Sequence, residues 1–261
     1  MSRALNIRVF TKGLATCVVS SAILISAEAS TITNNIDLTP RKITKATPTH
    51  AVFLKCKLSD NIISQSKGAI LELPKALKKT KRDFAIVSGH GLYAEADCFI
   101  SDFQSNSRKV LTKTFAKNYQ SGTETDWAIV SFKRIKGPHI KRYNLESYLD
   151  PTSSIHNAPI SFARARGLPQ NSQSCKVDIV ELKTLKTSRP IFSHNCHAIP
   201  GQSGSPLTHN VNGRDQLIGL HLGSMWMLNS PLTGKPGKIN IMRPYDKQIA
   251  DEIRQVLSDS E

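Results

Sequence analysis

Beyond residue 50 the apolar positions fall in short, β-branched runs. Ala51–Leu58, Ala69–Leu73, Phe84–Ser88, Asp97–Ser101, Trp127–Phe132, Pro159–Arg164, Lys176–Leu182, Gln216–Leu222 and Ile239–Met242 are the runs, and most have Gly, Pro, Asn or Ser nearby. Segments of this length between turn-forming residues predict β-strands. A helical period emerges only at Tyr245–Ser258, where Ile249, Ile253, Val256 and Leu257 share a face and predict one closing amphipathic helix. Residues 30–50, with Thr, Asn, Pro and Lys, follow neither pattern and read as a leader or pro-segment. The basic stretch Lys75–Arg82 reads as a solvated hairpin turn.

The first 29 residues read as an export signal. Arg3, Arg8 and Lys12 precede an apolar run, Leu14 to Ala27, and Ala27-Glu28-Ala29 has the small-x-small form of a cleavage site, placing the cut after Ala29. The run is shorter than the roughly 20 residues of a membrane-spanning helix, so no transmembrane anchor is expected after cleavage. With 39% hydrophobic and 21% charged residues the chain has the composition of a globular protein, which excludes collagen-like and wholly disordered classes. Its formal charge is +15; losing Arg3, Arg8, Lys12 and Glu28 leaves +13 on the mature chain. That excess favours contact with anionic partners and names none of them. Four cysteines remain after the signal: Cys56, Cys98, Cys175 and Cys196. In an exported protein an even count predicts two disulfides, and counting leaves three connectivities open; local pairing would put one bridge in each half of the chain.

Chemistry enters at Pro200–Leu207, P-G-Q-S-G-S-P-L. Ser203 has Gly201 and Gly204 around it, so the backbone N–H groups of Gly201 and Ser203 can converge in a tight turn as an oxyanion hole. A serine hydroxyl needs a base to take its proton. Among eight histidines His90 stands out, because the apolar strand Phe84-Ala85-Ile86-Val87 runs into Ser88-Gly89-His90-Gly91. Asp126 stands out as the carboxylate, because it opens the strand Trp127-Ala128-Ile129-Val130; Asp83, Asp97 and Asp102 lie in more polar surroundings.

The order His90, Asp126, Ser203, carried by I-V-S-G-H, T-D-W-A-I-V and P-G-Q-S-G-S-P-L, resembles the chymotrypsin-like (trypsin-like) serine peptidases, and most the exported bacterial branch that includes the glutamyl endopeptidases. The resemblance spans roughly residues 50–258. It implies an all-β fold of two antiparallel six-stranded β-barrels with a C-terminal α-helix. The first barrel would take residues 51–137, the second 138–244 and the helix 245–258. It also implies a triad in the cleft between the barrels, with His90 as general base and then acid, Asp126 orienting it, and Ser203 forming the acyl-enzyme. The chain departs from the family pattern at Ser88-Gly89, where two alanines are usual, at Gly91, where a cysteine often stands, and at Gln202, where the pancreatic enzymes carry an aspartate.

Leu217–Gly223 resembles the strand that walls the family's substrate pocket, which places Ala198, His221 and Gly223 in that pocket. In glutamyl endopeptidases a histidine in this segment helps bind an acidic side chain. The resemblance therefore implies a preference for Glu or Asp before the scissile bond, dependent on pH as His221 titrates. Ala198 stands where a Thr or Ser usually assists. The expected protein is a secreted (extracellular or periplasmic), monomeric serine endopeptidase acting on a protein or peptide substrate. It would need no cofactor or metal and have no specific nucleic-acid partner. His194-Asn195-Cys196-His197 has no second cluster at ligand spacing and reads as structural or pocket-lining. The competing class is a catalytically weak or inactive binding module of the same fold, held to anionic envelope polymers or a partner protein.

Overall fold

A computed structural model of the chain describes residues 51–59, 62–74, 81–102, 107–137, 140–148, 159–162, 175–178, 192–227 and 236–258. The expected signal and leader, residues 1–50, and most of the basic Lys75–Arg82 stretch lie outside the described residues.

Six strands form the first barrel: β1 (Val52–Lys57), β2 (Ile63–Glu72), β3 (Arg82–Val87), β4 (Asp97–Ser101), β5 (Ser107–Phe115) and β6 (Ala128–Lys133). They are hydrogen-bonded in the order β1-β4-β5-β6-β3-β2, and antiparallel pairing of β1 with β2 closes the ring. Alternate residues point inward, as the two-residue period of a strand requires: Val52, Leu54 and Cys56; Ala85 and Val87; Ala128, Val130 and Phe132. A short strand, β7 (Tyr143–Asn144), runs parallel to the end of β2, so this piece of the expected second half belongs to the first sheet.

The second barrel is closed in the order β10-β13-β12-β11-β8-β9. Its strands are β8 (Pro159–Phe162), β9 (Cys175–Asp178), β10 (Phe192–His194), β11 (Pro206–Val211), β12 (Arg214–Met227) and β13 (Gly237–Pro244). Val177, Phe192, Leu207, Ile218 and Met242 fill its interior. β12 is twice as long as its apolar run because its pairing with β13 continues past a bulge between His221 and Gly223 to Met227, along the pocket described below.

A third apolar cluster joins the barrels. Ala69, Leu71, Phe84, Ile86, Trp127 and Ile129, on the outer face of the first barrel, pack with Leu217 and Leu220 of β12 and with the helix α1 (Lys247–Ser258). The helix begins two residues later than its period suggests, because the Asp246 carboxylate accepts the Ile249 N–H at 2.9 Å and caps it. Ile249, Ala250, Ile253 and Leu257 are buried, while Val256 is only partly so.

Both disulfides have the local pairing. Cys56 and Cys98 are direct partners across β1 and β4, and Cys175 on β9 is bonded to Cys196 just after β10.

Candidate active site

β3 ends at Val87 and a single 3-10 turn, Gly89–Gly91, carries His90. The loop before β6 carries Asp126 and is tied by threonine hydroxyls: Thr123 Oγ1 donates to the Gln120 carbonyl at 2.8 Å and Thr125 Oγ1 to the Asn118 carbonyl at 2.9 Å. Asp126 is fully buried. Its Oδ2 lies 2.7 Å from His90 Nδ1 and accepts the Gly122 N–H at 2.6 Å, while Oδ1 accepts the His90 backbone N–H at 2.8 Å. Two backbone donors therefore hold the carboxylate where it fixes the imidazole by its Nδ1, which leaves Nε2 on the side away from the carboxylate. The Nε2 atom is itself buried and bonds no described residue. The rival carboxylates are engaged elsewhere: Asp83 accepts from Arg142 at 2.8 Å and from the Ile135 N–H at 3.0 Å, and exposed Asp97 pairs with Lys109.

Ser203 comes from the second barrel, on the loop entering β11. Its carbonyl accepts the Lys67 N–H at 2.7 Å, a bond that ties the loop to the first barrel. The next residue must be glycine: Gly204 has φ +78°, and a Cβ there would lie 2.0 Å from the Lys67 carbonyl oxygen and 3.0 Å from the Ser88 nitrogen. That approach brings Ser203 to the segment carrying His90, although Ser203 Oγ and His90 Nε2 make no hydrogen bond. Around the serine the N–H groups divide into two sets. Those of Gln202, Gly204 and Ser205 bond the carbonyls of Ile199, His221 and Gln202 at 3.3, 2.7 and 2.9 Å. Those of Gly201 and Ser203 bond none of the described residues and stay available to an oxyanion. Gln202, in place of an aspartate, is buried and closes its own loop by accepting the Ile199 N–H at 2.8 Å.

A pocket of about 220 Å³ opens beside Ser203, and Ala198, Gly201, His221, Gly223, Trp226 and Lys238 are among its walls. His221 is 3% exposed, and its Nδ1 lies 2.9 Å from His194 Nε2. Burial, then the neighbouring His194, hold the His221 ring well below the ordinary histidine range, so it is neutral. Burial likewise pushes His194 down to about 3. The pH dependence expected of His221 is therefore moved out of the neutral range by desolvation. His197 is exposed and Cys196 is in a disulfide, so His194–His197 does not converge as a ligand set, and no metal-binding group of His, Cys, Asp and Glu occurs among the described residues.

Several participants were not singled out in the sequence. Lys67, 1% exposed and pushed down to about 7 by burial, interrupts the small and apolar residues of β2, and that break in pattern is its only sequence signal. Lys238 becomes a pocket residue through its cross-strand pairing on β13 with Trp226 on β12, which local sequence does not show.

No family model matches the chain, and no curated protein matches it in sequence. Among solved structures, one described as "Kallikrein-related peptidase 10 complex with Zn2+" aligns with a TM-score of 0.56, covering 84% of this chain and 98% of that one at 12% identity. At that identity the likeness is one of fold, and the two barrels, their closing helix and this neighbour together give the chain the trypsin-like serine protease fold.

Proposed function

We propose that the protein is an exported serine endopeptidase working through an acyl-enzyme. His90 Nε2 takes the Ser203 proton as Oγ attacks the scissile carbonyl, Asp126 stabilises the imidazolium, and the Gly201 and Ser203 N–H groups receive the oxyanion. The imidazolium then protonates the leaving amine, and water repeats the sequence to release the acid. The observation that carries this reading is the buried Asp126 carboxylate, held by two backbone N–H groups against His90 Nδ1. Labelling with a fluorophosphonate tests it: wild type takes the label and Ser203→Ala does not. Failure of wild type to label, or labelling that survives the substitution, overturns it.

Within this reading the substrate pocket prefers an acidic side chain before the scissile bond, and Lys238 supplies the charge. It is the one charged residue among the described pocket walls, and neutral His221 offers polarity alone. Lys238→Met lowers the preference for Glu over Leu in a peptide library; an unchanged preference refutes the assignment.

The second reading, an inactive binding module, is favoured by one observation, the lack of a hydrogen bond between Ser203 and His90. Catalytic hydrogen bonds of free enzymes are often long and tighten in the substrate complex, and the labelling assay separates the two readings.

A further inference from the structure

The first barrel gathers exposed cations at its end remote from His90. Lys81 and Arg82, the described end of the basic stretch, lead into β3, while Lys133 ends β6 and Arg134 and Lys136 follow it; all five are exposed. The antiparallel register sets Arg82 directly opposite Lys133, and the Arg134 N–H donates to the Lys81 carbonyl at 3.3 Å. Two pairs of cations thus face each other across two strands, an arrangement that disfavours the fold unless an anion stands against it. Carboxylates of the chain do not fill that role. Asp83 is buried below the group, where it accepts the Ile135 N–H at 3.0 Å and bridges Arg142 at 2.8 Å and Arg134 at 3.3 Å. Glu72, at the end of the neighbouring β2, is the other carboxylate at this end. Among the described residues no ion pair engages Lys81, Arg82, Lys133 or Lys136.

The surroundings select among anionic partners. No large apolar side chain is exposed among the described residues of 72–83 or 131–142, so nothing there would insert into a bilayer or stack on a nucleobase. A guanidinium fork and ammonium groups, set side by side on adjacent strands, match the oxygens of sulfate or phosphate groups repeated along a chain. At about 3.4 Å per residue β3 carries the backbone about 17 Å from Arg82 to Val87, short of the turn that holds His90. We infer that this end of the first barrel, built by Lys81, Arg82, Lys133, Arg134 and Lys136, binds a linear polysaccharide bearing sulfate or phosphate groups. A polymer held there leaves the catalytic cleft open, and the inference does not depend on the peptidase reading.

The probes are fluorescent dextran sulfate and dextran phosphate, with unmodified dextran as the neutral control, followed by anisotropy at an ionic strength of about 0.15 M. Wild type binds both charged polymers saturably and ignores dextran; the tighter of the two names the preferred group. The combined variant Lys81→Gln, Arg82→Gln, Lys133→Gln, Lys136→Gln is expected to raise Kd at least about tenfold and to flatten its dependence on salt, because fewer counterions are displaced on binding. A control with the same loss of charge at exposed sites elsewhere, Lys57→Gln, Lys109→Gln, Lys117→Gln, Arg214→Gln, is expected to raise Kd about threefold or less. Lys81→Gln with Lys136→Gln, both outside the strands, keeps the urea midpoint of wild type and carries part of the loss, which separates binding from folding. Equal losses in the two fourfold variants overturn the site, as does wild type that binds neither charged dextran. Tighter binding to a DNA duplex or to phosphatidylglycerol vesicles than to either charged dextran overturns the polysaccharide. Fluorophosphonate labelling takes no part in this test, so failure of the peptidase reading is read separately.

Discussion

The ring of Tyr119 fills the space that a side chain at residue 89 would need. A Cβ on Gly89 would lie 2.3 Å from Tyr119 Cε2 and 3.1 Å from Asp126 Oδ1. The glycine before His90, where the family has an alanine, is thus paired with a tyrosine that packs the turn from outside. Gly89→Ala must displace Tyr119 or Asp126 and so shift His90. Misplacement by about 1 Å costs on the order of a hundredfold in rate, and a loss of at least tenfold in kcat/KM is expected. Gly89→Ala combined with Tyr119→Ala recovers part of it, with a coupling of about 0.5–3 kcal/mol. Additive losses in a double-mutant cycle would show that the two residues are independent.

The bridges stabilise unequal loops. Cys56–Cys98 spans 42 residues and Cys175–Cys196 spans 21. Loop-closure entropy assigns them about 4 and 3 kcal/mol respectively. Cys56→Ala with Cys98→Ala should lower the denaturation midpoint more than the second pair does. The second pair should weaken fluorophosphonate labelling more, because Cys196 leads into the Ser203 loop. Chemical denaturation and labelling of both double variants check the two orders, and a reversed order in either refutes the corresponding claim.

Buried His194 and His221 make the fold sensitive to acid. Their folded pKa values are depressed from 6.5, to about 3 for His194 and well below the usual value for His221. Between 6.5 and about 3 the unfolded chain binds protons that the folded chain excludes, so stability is retained above 6.5 and lost as pH falls. The slope is about 1.4 kcal/mol per pH unit for each group. His194→Gln should flatten the dependence of the urea midpoint on pH below 6.5; an equal slope in wild type and variant would remove these histidines as its cause. For the same reason the choice between Glu and Leu substrates should be constant from pH 7 to 9, where neither ring titrates.

Gly223 walls the pocket beside Ser203, and a Cβ there meets no atom within 4 Å. Gly223→Val therefore leaves the melting temperature near that of wild type and cuts kcat/KM for peptides with a long residue before the scissile bond by about tenfold or more. Peptides with Ala or Gly at that position are affected less. A uniform loss across all substrates would show that the substitution disturbs the loop and not the pocket.

Legibility in the sequence followed burial. β3 and β6 contribute one face to the first barrel and the other to the cluster between the barrels, so both faces are apolar and the strands stand out as continuous runs. β5 leaves every residue but Val110 exposed or half-buried, and its largely polar sequence carried no such signal. β10, at three residues, is too short for a two-residue alternation to show. His90 and Asp126 could be picked out because each sits at the end of one of the doubly buried strands, where an apolar run meets a polar turn.

The local sequence by itself determined which segments are strands where both faces are covered, which helix closes the chain, and which serine, histidine and aspartate lie at the element ends. Only the tertiary structure decided what stands opposite what. The register of β1 on β4 chose Cys56–Cys98 among three connectivities, the β12–β13 pairing carried Lys238 to the pocket, and the packing of Tyr119 explained Gly89. Burial periodicity is a short-range property, written along a few consecutive residues and readable there. Register, charge environment and cavity shape depend on contacts between residues far apart in the chain, and they take definite values only once both barrels have closed.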